Sequence, residues 1–459
     1  MGFPDGFLWG VAAASYQIEG AASEAGRSPS VWDAFADRPG AVFGGHTGRI
    51  ACDHYHRYPE DVALIADLGA KAYRLSVSWP RVLPDGRTVN EAGLDFYDRL
   101  IDAMLSRGVE PWVTLFHWDF PVTLFHRGGW LNRESADWFG KFTEVVAKRL
   151  GDRVSHWMTI NEPQVFLGLG HVSGTHAPGV RYDRPDVLRA THHCLMAHGR
   201  SVQALRGLAE KKPRIGWAAH GCLGFPATKS EKDIAAARHA TLSVNDSPHW
   251  FFNNTWYSDP AILGHYPEDG LALFGAEMPA GFERDLEIIH QPMDFCGVNI
   301  YQGHPTAADE DGGYRRTPRR PGHPHTMHHW PVDPETMYWG PRFLYERYRL
   351  PIYITENGCA SMDWIHHDGK VHDTPRIDYL LRHLCALREV MADGVDVRGY
   401  FHWSILDNFE WAEGYRMRFG LIYVDYETME RTLKDSYAWY QQVIMSNGDC
   451  LPDKLAPLR

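Results

Sequence analysis

The chain has 459 residues, of which 44% are hydrophobic and 23% are charged, a composition typical of a globular protein. Its net charge of −12 argues against a nucleic-acid partner, because binding to phosphates depends on cationic side chains. No run of about 18 apolar residues and no signal-peptide pattern is present, so we expect no membrane segment. Seven cysteines without a CxxC pair favour reduced thiols in a cytoplasmic protein over a disulfide framework.

Aromatic residues are unusually frequent. They make up 13% of the chain and include 17 tryptophans. A core does not require so many, because the indole ring is bulky and its N–H group needs a partner. Flat rings with polar edges suit sugars, nucleobases or large protein interfaces, and composition alone leaves these alternatives open.

Eight short apolar or aromatic runs recur along the chain. Their apolar residues are consecutive rather than alternating, which is typical of strands buried on both faces. These predicted strands are residues 8–14, 72–77, 111–116, 154–160, 214–219, 294–300, 351–355 and 397–403.

Apolar residues at three- and four-residue steps predict helices between the strands. Such segments end just before Gly108, Gly151 and Gly394. Eight strands alternating with helices predict an α/β fold with a parallel sheet, and eight strands can close into a (β/α)8 TIM barrel. The alternative is a doubly wound open sheet, but no GxGxxG follows the first strand. Because barrels with long loops reach this length, we expect residues 1–459 to form one domain.

The segment 303–330 is long and rich in Pro, Gly, His and Arg. A barrel would place this segment after its sixth strand, on the face that holds active sites, so we interpret it as a loop on the rim of a cleft. We expect its arginines and histidines to be solvated rather than to bind phosphate or metal, and we expect no cofactor. They are Arg315, Arg316, Arg319, Arg320, His323, His325, His328 and His329.

We interpret several other tryptophans and histidines as structural residues without a catalytic or binding role. Tryptophans within or beside strands are expected to fill the barrel, and three histidines of a helical segment are expected to be core residues. These residues are Trp9, Trp79, Trp112, Trp157, His192, His193 and His198.

Polar and aromatic residues follow most of the predicted strands. In barrels of this type, catalytic groups come from the C-terminal ends of the strands. The candidates in chain order are Gln17, Arg74, His117, Trp118, Asn161, Glu162, Asn299, Tyr301, Glu356, Trp403, Glu410 and Trp411.

Glu162 and Glu356 follow strands four and seven, so a barrel would place them across its mouth. Opposed carboxyl groups suit glycoside hydrolysis, in which one protonates the leaving oxygen and the other meets the developing cation. Burial or a negative neighbour would keep one protonated, and a cation such as Arg74, with the Tyr301 hydroxyl, would favour the charge of Glu356. A single such Glu is more often a salt-bridge partner or a helix cap. Two of them, each beside an Asn, favour the catalytic interpretation.

At these residues the sequence resembles glycoside hydrolase family 1, the β-glucosidase family. The most specific motifs are 159–163 (TINEP) and 354–358 (ITENG), and further matches at 7–10, 16–20 and 418–425 extend the resemblance over nearly the whole chain. The resemblance implies a TIM barrel that hydrolyses terminal β-D-glycosyl residues of small glycosides or oligosaccharides. The implied reaction is a retaining double displacement on β-glucosides, with β-galactosides and β-fucosides as alternatives.

The family's roles transfer to matching positions. Glu162 resembles the acid/base, Glu356 the nucleophile and Asn161 the partner of the sugar 2-hydroxyl, while Tyr301 and Arg74 resemble the groups that support the nucleophile. The rest of the implied sugar-binding shell is Gln17, His117, Trp118, Asn299, Trp403, Glu410, Trp411 and Phe419.

Several positions restrict the class of substrate that the resemblance implies. Glu410 stands where members acting on 6-phosphosugars have phosphate-accepting groups, so the resemblance implies an unphosphorylated glycoside. Glu162 separates the chain from the myrosinase-like members, which have Gln there. Gln164 replaces a Trp that lines the aglycone side in many relatives, and Trp330 is a candidate for the aglycone platform.

Two alternatives belong to other functional classes. A sugar-binding barrel without catalysis would require the loss of one Glu, whereas both are present. A metal-dependent barrel hydrolase is disfavoured because the strand ends have Glu, Asn and Trp rather than sets of His and Asp ligands. The sequence indicates no particular oligomeric state.

Overall fold

The structure, a computed structural model, describes residues 2–458. Thirteen strands are present among these residues, and eight of them form a closed barrel. The strands are β1 Leu8–Ala12, β2 Ala72–Ser76, β3 Glu110–Phe116, β4 His156–Asn161, β5 Arg214–His220, β6 Leu223–Pro226, β7 Cys296–Asn299, β8 Gly303–Ala308, β9 Tyr314–Arg316, β10 Ile352–Asn357, β11 Val397–Trp403, β12 Ile422–Val424 and β13 Arg431–Leu433.

Sixteen α-helices lie between or after the strands of this part of the chain. They are α1 Ser15–Ile18, α2 Val31–Ala36, α3 His54–Asp67, α4 Trp79–Val82, α5 Glu91–Ser106, α6 Val122–Phe125, α7 Ser135–Leu150, α8 Pro163–Leu167, α9 Arg184–Leu208, α10 Glu231–Leu242, α11 Asn254–Ile262, α12 Glu268–Phe274, α13 Phe282–Ile289, α14 Thr336–Tyr348, α15 Thr374–Ala392 and α16 Asp435–Met445. Single turns of 3₁₀ or π-helix occur at Phe43–Gly45, Gly129–Leu131, Gly168–Ser173, Gly275–Glu277 and Trp411–Glu413.

The barrel has the strand order β1-β2-β3-β4-β5-β7-β10-β11, and every neighbouring pair is parallel. It closes where β1 pairs with β11, with Ala12 opposite Trp403. The predicted (β/α)8 barrel is confirmed. All parallel strands point the same way, so their carboxyl ends meet at one mouth.

Each of the eight predicted runs overlaps one barrel strand, because residues buried on both faces leave a clear apolar signature. Their ends differ from the prediction at the mouth. Strand β4 extends to Asn161, and β10 extends through Glu356 to Asn357, two residues beyond the predicted run. Polar residues at these ends interrupt the apolar pattern, so the sequence does not predict the last residues of these strands.

The four tryptophans expected to fill the barrel are divided between its two surfaces. Trp112 packs inside with small residues such as Ala12 and Ala72, and its ring stacks on His156 with centroids 4.1 Å apart. Trp9, Trp79 and Trp157 instead belong to the outer core that joins strands to helices. The prediction is therefore wrong for these three. Trp9 and Trp157 are strand residues that face the helices, since consecutive strand residues face opposite sides, and Trp79 is the first residue of α4.

The helical predictions before Gly108, Gly151 and Gly394 correspond to α5, α7 and α15. The three histidines assigned to the core lie buried in α9. His192 hydrogen-bonds to Tyr266 and Asp285, while the other two are His193 and His198. Their interpretation as core residues is confirmed.

The segment 303–330 is not an irregular loop throughout. It contains β8 and β9, which with β6 form a separate three-stranded sheet beside the barrel. One of its arginines, Arg319, is paired with the buried Asp333 rather than solvated. The prediction missed these strands because they are short and their sheet depends on a partner, β6, far away in the sequence.

All seven cysteines are free thiols in the structure, and five of them are buried. Burial raises the pKa of these five buried thiols, for example that of Cys296 to about 12. No helix within residues 2–458 is long and apolar enough to cross a membrane.

Candidate active site

A pocket of about 260 Å³ opens at the carboxyl mouth of the barrel. It collects side chains that follow strands far apart in the sequence, as the strand-end argument predicts. Ten of the residues selected from the sequence line it, namely His117, Trp118, Glu162, Tyr301, Trp330, Glu356, Trp403, Glu410, Trp411 and Phe419.

Glu356 lies near the end of β10 with only 3% of its surface exposed. Arg74 Nη1 donates to its Oε1 at 2.5 Å, and the Tyr301 hydroxyl donates to its Oε2 at 2.7 Å. Burial and the charge of Glu162 raise the pKa of Glu356 to about 7, although Arg74 and Tyr301 lower it. Both carboxylate oxygens therefore have donors that favour the ionised form.

Glu162 follows β4 directly and precedes the short helix α8. Its backbone has φ of 45°, in the left-handed region that non-glycine residues rarely adopt. The bond from its own N–H to the Ala218 carbonyl at 2.7 Å helps to fix this turn. Its Oε1 atom lies 3.1 Å from Nδ1 of His220, the only side-chain bond that the described residues make to this carboxyl.

A polar layer lies directly behind Glu356. Arg74 Nη2 donates to Asn161 Oδ1 at 2.6 Å, and Asn299 Nδ2 donates to the same oxygen at 3.0 Å. Thr355 in turn donates to Asn299 Oδ1 at 2.6 Å. Asn161 and Asn299 are fully buried and do not line the pocket, so they orient the groups in front of them.

His117 and Trp118 follow β3 and contact the same layer. The Asn161 amide nitrogen donates to His117 Nε2 at 3.2 Å, and Trp118 Nε1 donates to the Asn161 carbonyl at 2.9 Å. Burial lowers the pKa of His117 well below its usual value, and Arg74 adds to this effect. His117 is therefore a neutral imidazole that accepts through Nε2, so its Nδ1 has a proton to donate.

Glu410 lies across the pocket and is buried beside Gln17. Gln17 Nε2 is 3.4 Å from Glu410 Oε2 and donates to Asn408 Oδ1 and to the Phe409 carbonyl, both at 3.0 Å. Burial raises the pKa of Glu410, and the charges of Glu356 and Glu162 raise it further. Four carboxyl groups therefore share one pocket, those of Glu162, Glu356, Glu410 and Glu413, and none of its described lining residues is Lys or Arg.

Aromatic rings form the pocket walls. Trp403 and Trp411 each lie nearly parallel to the His117 ring, at centroid distances of 5.7 Å and 5.8 Å. Trp330 lies on another wall, where it stacks on His328 at 4.2 Å and contacts Tyr301 at 5.2 Å. The expectation that His328 is solvated is therefore wrong.

Gln164 does not line the pocket, contrary to its assignment to the aglycone side. It is fully buried in α8 and bonds to the backbone of His220. The assignment assumed that the residue after the Glu162-Pro163 pair faces outwards. The helical turn of α8 instead directs this side chain to the end of β5.

His220 was missed by the sequence argument, although it lines the pocket and contacts Glu162. It is the last residue of β5, so the strand-end rule applied to strand five would have selected it. The other lining residues that were not selected are Val165, Leu169, His176, Phe252, Gln302, His328, Ala412 and Glu413. Loops and short helical turns, rather than strand ends, supply them.

No group of three or more His, Cys, Asp or Glu side chains in the described part of the chain could hold a metal ion.

A parallel eight-stranded barrel with buried carboxyl groups and aromatic rings at its mouth is the architecture of barrel glycosidases. Residues 1–449 match the profile of glycosyl hydrolase family 1. The chain belongs to this family and is a glycoside hydrolase.

Similar proteins of known name or structure agree with this family membership. Beta-glucosidase A from Thermotoga maritima is 45% identical over 448 residues, which cover 97% of this chain and 98% of the relative. A 1,4-beta-D-glucan glucohydrolase from Thermotoga neapolitana is also 45% identical over 448 residues, covering 97% and 99% of the two chains. The solved structure of a Thermotoga maritima beta-glucosidase in complex with glucoimidazole has a TM-score of 0.89 at 45% identity, with 97% and 99% coverage.

Proposed function

We propose that this chain is a retaining β-glucosidase that removes terminal non-reducing β-D-glucosyl residues from unphosphorylated glycosides and oligosaccharides. Glu356 is the nucleophile and Glu162 is the general acid/base. The observation that supports this proposal is the contrast between two carboxyl groups of one aromatic pocket. Glu356 accepts two short bonds from Arg74 and Tyr301, whereas Glu162 accepts one longer contact from His220.

This contrast assigns the proton. The two carboxyl groups interact, so a proton taken up near neutral pH belongs to the pair. Arg74 and Tyr301 favour the charged form of Glu356, and the proposed reaction requires the proton to be on Glu162. An ionised nucleophile and a protonated acid are the starting state for glycoside cleavage.

The reaction has two steps. In the first, the Glu356 carboxylate bonds to the anomeric carbon, the bond from that carbon to the leaving oxygen breaks, and Glu162 gives its proton to that oxygen. In the second, Glu162 takes a proton from water, whose oxygen bonds to the anomeric carbon while the ester bond to Glu356 breaks. Two inversions return the β-configuration, and Glu162 regains its proton.

The sugar shell surrounds the reacting pair. Asn161 is the proposed partner of the 2-hydroxyl, where a bond strengthens as the transition state forms. The proposed partners of the other hydroxyls and of the sugar ring are Gln17, His117, Trp118, Asn299, Trp403, Glu410, Trp411 and Phe419. Their mixture of donors, acceptors and flat rings suits a hydroxylated ring. Gln17, Asn161 and Asn299 do not line the pocket themselves. Gln17 and Asn299 contribute through the lining residues, and Asn161 bonds to the 2-hydroxyl only where the sugar replaces His117 as the partner of its amide nitrogen.

Electrostatics favour an unphosphorylated sugar. The pocket contains Glu162, Glu356, Glu410 and Glu413, and its described lining has no Lys or Arg to compensate a phosphate. A phosphate next to these groups would be repelled by their carboxylates or would require those carboxylates to take up protons.

The leaving group extends past Trp330, which we propose as the aglycone platform. This ring lies at the pocket wall beside Tyr301 and Phe419. The named activity of the Thermotoga neapolitana relative is directed to 1,4-beta-D-glucan. We propose that short β-1,4-glucans from cellulose are substrates here as well.

We further propose that residues 1–459 act as one domain, since the pocket draws on residues from His117 to Phe419 and its support reaches back to Gln17. The seven free thiols support a reducing, cytoplasmic location.

Trapping of the intermediate tests the assignment. A 2-fluoro β-glucoside with a dinitrophenyl leaving group should inactivate the enzyme. The fluorine slows both steps, whereas the activated leaving group speeds only the first, so the intermediate accumulates. Peptide mass spectrometry is expected to find one fluoroglucosyl group on Glu356. A label on another residue, or full turnover without a label, would overturn the role of Glu356. A panel of nitrophenyl β-glucoside, β-galactoside and β-fucoside then ranks the epimers.

A further inference from the structure

His220 stands beside the carboxyl group that the proposed reaction uses twice. Its Nδ1 atom lies 3.1 Å from Glu162 Oε1, and the exposed side-chain fractions are 21% for His220 and 7% for Glu162. A contact at this distance in a nearly buried site fixes the orientation of a carboxyl group.

The position of His220 is itself fixed by Gln164. The Gln164 side chain donates from Nε2 to the His220 carbonyl at 3.4 Å and accepts from the His220 N–H at 3.3 Å. Both bonds are long, but Gln164 is fully buried and has no alternative partner in water. The N–H of Glu162 also donates to Ala218 in the same strand, β5, at 2.7 Å. The turn at Glu162 is therefore attached to the end of β5 at three points.

Aromatic contact restricts the imidazole ring from another side. The ring of Phe252 lies 5.5 Å from that of His220, at an angle of 48°. The imidazole is thus held between the Phe252 ring and the Glu162 carboxyl group. The hydrogen bonds from Gln164 hold the backbone of His220.

We propose that His220 is a positioning residue for Glu162, and that Gln164 acts through His220. This inference rests on the proposed role of Glu162 as acid/base. His220, with its proton on Nδ1, donates to Glu162 Oε1 and leaves Oε2 to hold the proton that the leaving oxygen receives. In the second step the same donation holds the ionised carboxylate in place while its free oxygen takes the proton from water.

This role predicts a dependence on the leaving group. A phenyl leaving group needs the proton of Glu162, whereas a dinitrophenyl leaving group departs without it. We expect His220→Ala to lower kcat/KM for phenyl β-glucoside by about tenfold or more, a part of the effect of general acid catalysis. The same variant should change kcat/KM for the dinitrophenyl glucoside by less than about threefold.

His220→Asn provides the conservative rescue. An Asn side chain can place its amide nitrogen near the position of Nδ1, so it can still donate to Glu162. We expect it to restore the ratio of the two kcat/KM values to within about threefold of that of the unmodified enzyme. Gln164→Ala should lower the phenyl rate selectively and less strongly than His220→Ala. His367→Ala, at an exposed position outside the pocket, is the matched control and should leave the ratio unchanged.

Glu162→Ala measured in the same series separates the two proposals. If it shows strong leaving-group dependence while His220→Ala lowers both rates equally, the role of His220 is overturned and the role of Glu162 stands. If Glu162→Ala itself shows no such dependence, the proposed function fails first. Thermal unfolding of every variant identifies loss of folding, in which case His220→Asn and Gln164→Ala decide the result.

Discussion

The hydroxyl of Tyr301 donates to one oxygen of Glu356 at 2.7 Å and favours its ionised form. Removal of this bond in Tyr301→Phe therefore raises the pKa of Glu356 above its value of about 7. Because the first step needs an ionised nucleophile, the acidic limb of the kcat/KM profile should move to higher pH, by about one unit for a bond to a charged group. The profile of an aryl β-glucoside measures this shift.

Tyr338→Phe is the control for this change. Its hydroxyl bonds to Asp393 at the surface, away from the pocket, and the acidic limb should remain where it is. If kcat/KM of Tyr301→Phe decreases at every pH while the acidic limb stays at the same pH, that result would contradict a role for Tyr301 in stabilising the charge of Glu356.

Individual site residues differed in how well the sequence predicted them. Residues at strand ends were brought into one pocket, because the parallel barrel fixes where each strand terminates. Gln164 was placed wrongly, since its direction depends on the left-handed backbone at Glu162 and on the turn of α8. Neither property is visible in residue types. His220 obeyed the strand-end rule, but one histidine after an apolar run gives a weak signal.

At the scale of elements, the connection from β11 to β12 shapes one side of the pocket, and a buried ion network supports it. Lys434 Nζ bonds to Asp407 Oδ1 and Asp363 Oδ2, both at 2.6 Å, and Asp407 also accepts from the Gly420 N–H at 2.9 Å. Gly420 follows Phe419 of the pocket wall. The network therefore connects the start of α16 to the pocket.

Lys434→Met tests this support. It leaves Asp363 and Asp407 buried without one of their cations, and removal of one partner of a buried pair costs about 3–5 kcal/mol. Urea unfolding should show that loss in the free energy of unfolding.

Arg398→Met is the control. It breaks the exposed ion pair between Arg398 and Asp396, whose side chains are 47% and 35% exposed, and should change the free energy of unfolding by less than about 1 kcal/mol. Equal losses in the two variants would contradict the importance of burial.

The sequence predicted helices and strands well where their residues are fully buried, and poorly where a strand forms only by pairing with a distant strand. The barrel strands were found from their apolar runs, and α5, α7 and α15 from their helical periodicity. The strands β8 and β9 were not, because both are short and β8, with which β9 pairs, lies against β6, some 80 residues earlier in the chain. The register of β8 on β6 is a property of the tertiary structure rather than of the local sequence.

The whole molecule contains buried histidines that respond to pH together. Burial lowers the pKa of His171, His198 and His383 to about 4. The unfolded chain, with histidine near its ordinary pKa, binds more protons between pH 6.5 and 4, so each histidine lowers stability as the pH falls through that window. Asp119, buried with its pKa raised to about 7, acts in the opposite direction.

His383→Gln isolates one of these contributions. Between pH 7.5 and 5.5 the unmodified enzyme should lose about 1 kcal/mol more of its free energy of unfolding than the variant does. Urea unfolding at the two pH values measures the difference. His367→Gln, at an exposed position, should show the pH dependence of the unmodified enzyme. An identical pH dependence in His383→Gln would show that His383 has the same pKa in the folded and unfolded states, contrary to a pKa lowered by burial.

The pairing of β1 with β11 has a consequence for synthesis on the ribosome. The first strand has no permanent neighbour on one side until Val397–Trp403 has been made, and the pocket lacks a wall until Phe419 has been made. At about 5–20 residues per second, the early strands wait for tens of seconds with an unpaired edge. Nascent chains are therefore inactive and prone to aggregation until nearly all of the polypeptide has emerged, so chaperone supply should limit the yield of active enzyme.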